Sequence, residues 1–75
     1  MRNGLVLARV GTVPPKKVLI EIRSIEGVLD AYAVFGRFDI VAFIEAESYY
    51  QLKEIASDVA KVEGMKGTET LVHGD

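Results

Sequence analysis

An α+β fold in the order βαββαβ is what this 75-residue sequence predicts, and three observations carry the expectation. Apolar residues recur at helical spacing in two separate stretches. Short runs rich in β-branched and aromatic residues flank each of them. The segment "IEGVLDAYAV" at 25–34 is echoed by "VEGMKGTETL" at 62–71, with the two Glu-Gly pairs 37 residues apart. The chain therefore reads as two strand–helix–strand halves.

Residues 5–10, "LVLARV", are apolar and β-branched enough for a buried strand. Gly11 and Thr12 break it. Pro14 and Pro15 fix φ near the helical value and lack the N–H that a helix start leaves unused. A helix follows to about Ser24, with Val18, Leu19, Ile22 and Ile25 as its inner stripe. Ile20 falls on the other side of that helix, which points to a further contact. Gly27 ends the unit. Residues 28–35, "VLDAYAVF", and 39–45, "DIVAFIE", read as two strands of a hairpin. Ser48 and Gln51 have the spacing of a capping box, in which each side chain satisfies a free backbone N–H. Leu52, Ile55, Ala56, Val59 and Val62 make the apolar stripe of a second helix, with Lys53, Glu54, Asp58 and Lys61 outward. Gly64 closes it, 66–72 form a last strand, and "HGD" is a tail.

This order is the split βαβ, ferredoxin-like plan: a four-stranded antiparallel sheet with two helices on one face. A sheet with one wet face alternates apolar and polar residues. "VLDAYAVF" and "DIVAFI" do not, so both faces should be dry. The helices cover one, and a second copy of the chain is expected on the other. A domain of this size is near the lower limit of self-sufficient stability. It has no cysteine and a single histidine, His73, so disulfides and thiolate or His-rich metal sites are excluded as supports. Self-association remains, and the 49% hydrophobic content fits it. The formal net charge is −2 and no basic stripe is visible, against direct nucleic-acid binding. Apolar runs fall far short of the roughly 18 residues that span a membrane, and no signal-peptide pattern precedes the first strand. A cytoplasmic protein is the expectation, with no cofactor.

No nucleophile elbow, phosphate-binding glycine loop or metal-ligand cluster is present. Asp30 and Tyr32 share one side of the second strand, which suits an interface hydrogen bond. Tyr49 and Tyr50 open the second helix as packing or interface residues. The turn "GRFD" differs. Gly36 permits positive φ or close approach of another group. Asp39 offers a carboxylate for an ammonium, and Arg37 a guanidinium for a carboxylate. Those are the two ends of a free amino acid. The same residues also suit a plain hairpin turn, with Asp39 capping it and Arg37 in water.

The whole pattern resembles the effector-binding (RAM) domain of the Lrp/AsnC regulators of amino-acid metabolism. Its most specific pieces are Gly36 and Asp39, in a G-x-x-D turn, and the G-x-x-x-T-x-T reading of Gly64, Thr68 and Thr70. The resemblance spans residues 1–75 and implies a single, stand-alone RAM domain, because family regulators carry a DNA-binding domain ahead of it. It further implies dimers formed by stacked sheets, rings of such dimers, and an amino-acid effector held between dimers. By position, the ligand residues so implied are Gly36, Arg37, Phe38, Asp39, Thr68 and Thr70, with Glu47 at the border. Full-length Lrp/AsnC regulators are the implied partners. Two other readings stand beside this one. A small dimeric α+β barrel enzyme would use Arg9, Asp30 and Tyr32. A purely structural assembly subunit would need no ligand.

Overall fold

The computed structural model describes residues 1–72 of the chain; His73 and the tail expected at 73–75 lie outside the described residues. The elements run β1 (Arg2–Val10), α1 (Pro15–Arg23), β2 (Val28–Ala33), β3 (Ile40–Ala46), α2 (Tyr49–Ala60) and β4 (Met65–Val72). The strands form one antiparallel sheet in the order β2-β3-β1-β4, so the expected ferredoxin-like plan is the observed one.

Helix α1 has only nine residues, begins at Pro14–Pro15, and places Lys16 and Lys17 at its positive dipole end. Such a helix is marginal alone. Burial of Val18, Leu19 and Ile22 against the sheet holds it. Helix α2 is better started. The Ser48 hydroxyl accepts the Gln51 N–H at 3.1 Å. The return bond of the expected capping box is displaced by one residue, since the Gln51 side-chain oxygen accepts from the Glu47 N–H rather than from Ser48. Leu52, Ala56 and Val59 form its buried stripe. Ile25 and Val62, expected within the helical stripes, lie just past the helix ends and pack half-buried against the core.

Register fixes what each face carries, because paired residues share a face. Val6, Ala8, Ile40, Ala42, Ile44 and Ala31 face the helices and are closed from solvent. Leu5, Leu7, Val41, Phe43 and Leu71 face the other way. Nothing in the described chain covers that outer face: Phe43 keeps 40% of its surface exposed and Leu71 51%. Ile20, at 61%, is the exposed side of α1 anticipated from its spacing.

Five strand boundaries differ from expectation. β3 ends at Ala46 and β4 begins at Met65, each one residue beyond the expected bound. β1 begins three residues earlier, at Arg2, because it pairs with β3 as far as Ala46. β2 stops at Ala33 instead of Phe35, and β3 begins at Ile40 instead of Asp39. The connection is accordingly a six-residue loop closed by the Val34 N–H donating to the Asp39 carbonyl at 2.9 Å. The pairing of β2 also slips between Val28 and Asp30, leaving Leu29 as an exposed bulge residue.

The echo in the sequence has a structural counterpart. Gly27 and Gly64 follow the two helices with φ of +98° and +95°. A side chain on either would overlap a packed neighbour, Ile55 in one half and Val13 in the other.

Candidate functional site

The β2–β3 turn stands at the end of the sheet where β1 finishes. Asp39 fixes it there through its main chain and its side chain together. Its N–H donates to the Ala8 carbonyl at 2.8 Å, and its Oδ2 accepts the Val10 N–H at 2.8 Å. The second carboxylate oxygen has no hydrogen-bond partner among the described residues. Asp39 is thus a structural anchor with one acceptor to spare: its carboxylate ties the turn to β1, while only its main-chain carbonyl closes the turn itself.

Gly36 has φ +123°, a region that side chains avoid. Unlike Gly27 and Gly64 it faces open space, with no atom within 4 Å of where a Cβ would sit. The backbone conformation, not crowding, requires glycine here. It also leaves the peptide accessible. Arg37 is exposed and makes no ion pair or hydrogen bond among the described residues. Phe38 is half-buried. Its neighbour Phe35 is the wholly exposed aromatic of the turn, at 103%. Assigning Phe35 to a strand hid it in the sequence; the end of β2 at Ala33 releases it.

Thr68 and Thr70 lie elsewhere. They pair with Ala8 and Val6, so they face the helices and not the outer side. Both border a groove of about 330 Å³ between β4 and α2, to which Lys53 and Ser57 also contribute. None of residues 36–39 lines that groove. Within one chain the six site residues named from the sequence therefore divide into two loci, the turn and the α2–β4 groove. Lys53 and Ser57 were not singled out from sequence. Their signal is a second stripe on α2, Tyr49, Lys53, Ala56, Ser57 and Ala60, whose spacing follows the helical period.

Glu47 borders neither locus. With Glu26, Glu45, Glu54 and Asp58 it lines a wider hollow of about 670 Å³ near Gly27, at the opposite end of the sheet from the turn. Among the described residues no group of three or more His, Asp or Glu side chains is placed to hold a metal.

Asp30 and Tyr32 do meet, on the outer side of edge strand β2. The Tyr32 hydroxyl donates to Asp30 Oδ2 at 2.8 Å, and Arg23 Nε donates to Asp30 Oδ1 at 3.2 Å. Hydrogen bonds from Tyr32 and the Ala31 N–H, with the Arg23 charge, hold the Asp30 carboxyl below its ordinary pKa. The same carboxylate pushes the Tyr32 phenol above its ordinary value. Arg23 also donates to the Ala31 carbonyl from Nε and Nη2, at 3.1 and 2.7 Å. Arg9, the third member of the enzyme reading, is on β1, with β3 between it and this pair. The three do not converge on a common cavity in the described chain.

Among the described residues no helix is long and apolar enough to cross a membrane. A model of the family described as the Lrp/AsnC ligand binding domain matches residues 5–73. A solved protein of Thermus thermophilus superposes with a TM-score of 0.91 at 25% identity, over 100% of this chain and 95% of its own. The protein called FFRP-DM1 gives 0.89 at 19% identity, over 99% and 100%. A Neisseria meningitidis transcriptional regulator, solved as an L-Met complex, gives 0.80 at 10% identity; the match covers 99% of this chain and 50% of that one. No curated protein matches the sequence.

Proposed function

The chain belongs to the Lrp/AsnC ligand-binding domain family, and from that premise we propose that it binds a free amino acid as a regulatory effector in an assembly of copies. The observation that carries the reading is the turn: a rigidly anchored loop whose outer side is open. Asp39 keeps one carboxylate oxygen for the effector's ammonium, and Arg37 is an unengaged guanidinium for its carboxylate. Gly36 lets the ligand approach the backbone. Phe38 and the exposed Phe35 supply apolar surface for its side chain. Thr68 and Thr70 join this site from a neighbouring copy, since they do not reach the turn of their own. The L-Met bound by the Neisseria regulator is a ligand of the same chemical class.

Assembly begins at the uncovered sheet. Leu5, Leu7, Val41, Phe43 and Leu71 form its apolar surface, and a second copy stacked on them buries it at about 25 cal/mol per Å² of apolar area. Dimers then join into a ring, with the turn at the contacts. An effector that prefers one assembly state shifts the population toward it by the difference in its affinities. Longer Lrp/AsnC regulators in the cytoplasm are the partners through which such a shift reaches transcription.

A thermal-shift and calorimetric screen of the twenty amino acids tests the reading. At a hundred times Kd a true effector stabilises the fold by about 2.7 kcal/mol. No heat and no stabilisation with any of them would leave the structural-subunit reading in its place.

A further inference from the structure

The α2–β4 groove has a chemistry of its own. Its α2 wall is built from small residues, Ala56, Ser57 and Ala60, which leave the space above edge strand β4 unfilled. The hydroxyls of Ser57, Thr68 and Thr70 line it, and none has a hydrogen-bond partner among the described residues. By contrast the hydroxyls of Ser24 and Ser48 are each bonded to a helix end. Of the four serine and threonine hydroxyls without a partner among the described residues, three line this groove, Thr12 being the fourth. Lys53 completes the polar set. Its ammonium sits 5.8 Å from the Tyr49 ring centroid and has no carboxylate within ion-pair distance among the described residues. Among the described residues no Asp or Glu lines the groove.

We propose that this groove is a carboxylate-binding site complete within one chain. Lys53 supplies the charge and Ser57, Thr68 and Thr70 supply hydroxyl donors. Ala56, Ala60 and Val72 form an apolar wall for a short aliphatic tail. A single lysine matches a monoanion. A phosphate carries more charge and is better matched by arginine or a row of backbone N–H groups. The volume of about 330 Å³ is at the small end of ligand pockets. This inference goes beyond the effector reading, since it requires neither a second copy nor Asp39.

The test is an amide-resonance titration of the whole chain with sodium isovalerate, isovaleramide and inorganic phosphate. Isovalerate should shift resonances of α2 and β4 saturably, with isovaleramide inert and phosphate weaker. Lys53→Gln should weaken isovalerate about tenfold or more, as expected for loss of a charge-assisted contact. Thr68→Val, nearly isosteric, should weaken it less, and Asp39→Ala should leave it unchanged. The proposal is overturned by absence of saturation with isovalerate, by an equal response to isovaleramide, by tighter binding of phosphate, or by unaltered affinity in both groove variants. An amino-acid response abolished by Asp39→Ala and retained in Lys53→Gln, with isovalerate silent, would sink this site and leave the effector reading intact. Isovalerate binding without any amino-acid response would do the reverse.

Discussion

Strand β3 presents two unlike surfaces one residue apart. Ile40, Ala42 and Ile44 are sealed beneath the helices, while Val41 and Phe43, no less apolar, look out from an uncovered sheet. The residue types are similar, so what differs is what lies above them. One face is satisfied within the chain and its residues set stability. The other is uncovered, and in the assembly proposed above its residues set association.

The largest effect in that comparison should come from the sealed side. Leu52→Ala removes a fully buried side chain between α2 and the sheet and should cost about 2–5 kcal/mol in urea unfolding, most of what a small domain has. On the open side, Phe43→Lys should preserve the circular-dichroism spectrum while reducing the sedimenting mass toward a single chain and removing the concentration dependence of Tm. An unchanged mass would break the comparison, because the outer face would then have no assembling role.

Asp39 straddles the two sorts of role, and two substitutions separate them. Asp39→Ala strands the Val10 N–H and should cost about 1–3 kcal/mol. Asp39→Asn retains an acceptor for that N–H, so it should cost less than about 1 kcal/mol while abolishing any ammonium binding. Equal losses of stability would reduce Asp39 to its charge alone.

The smallest effect lies at the polar margin of the outer face, where Tyr32 packs edge-on to Phe43 with ring centroids 6.1 Å apart. Its phenol should titrate above the ordinary value of 10.0 by ultraviolet absorbance, and Asp30→Asn should bring it back. The signs follow from the directions. Tyr32's contribution is fully present below pH 10.0 and is lost as pH rises through its raised pKa. Asp30's is present above pH 3.8 and is lost as pH falls through its lowered pKa. Both groups are exposed, so the effect on overall stability is small.

Element order was legible because its signals are local: helical spacing in 18–22 and 52–59, prolines at Pro14 and Pro15, and glycines at Gly27 and Gly64. The missing alternation in β3 foretold apolar residues on an outer face that nothing in the described chain covers. In β2 it arose instead from the bulge at Leu29 and from residues 34–35 outside the strand, and the outward residues there are Asp30 and Tyr32. The early end of β2 was not legible, because "AVF" is good strand sequence and only the loop geometry set by Asp39 withdraws it. The bulge at Leu29 was hidden for a similar reason, since register depends on the partner strand. The separation of Thr68 and Thr70 from the turn is likewise tertiary. It follows from β4 pairing with β1, which directs both threonines toward α2.

A chain that leaves greasy sheet uncovered invites mistakes in the crowd of its own newly made copies, above all strands added edge to edge. Along β2 that error has been made hard to commit. Ala31 would offer a free carbonyl and a free N–H to an incoming strand, but Arg23 already occupies the first and Asp30 the second. A misdirected strand would have to evict both before it could pair. The lock blunts the β2 edge at its middle, where Ala31 would otherwise pair.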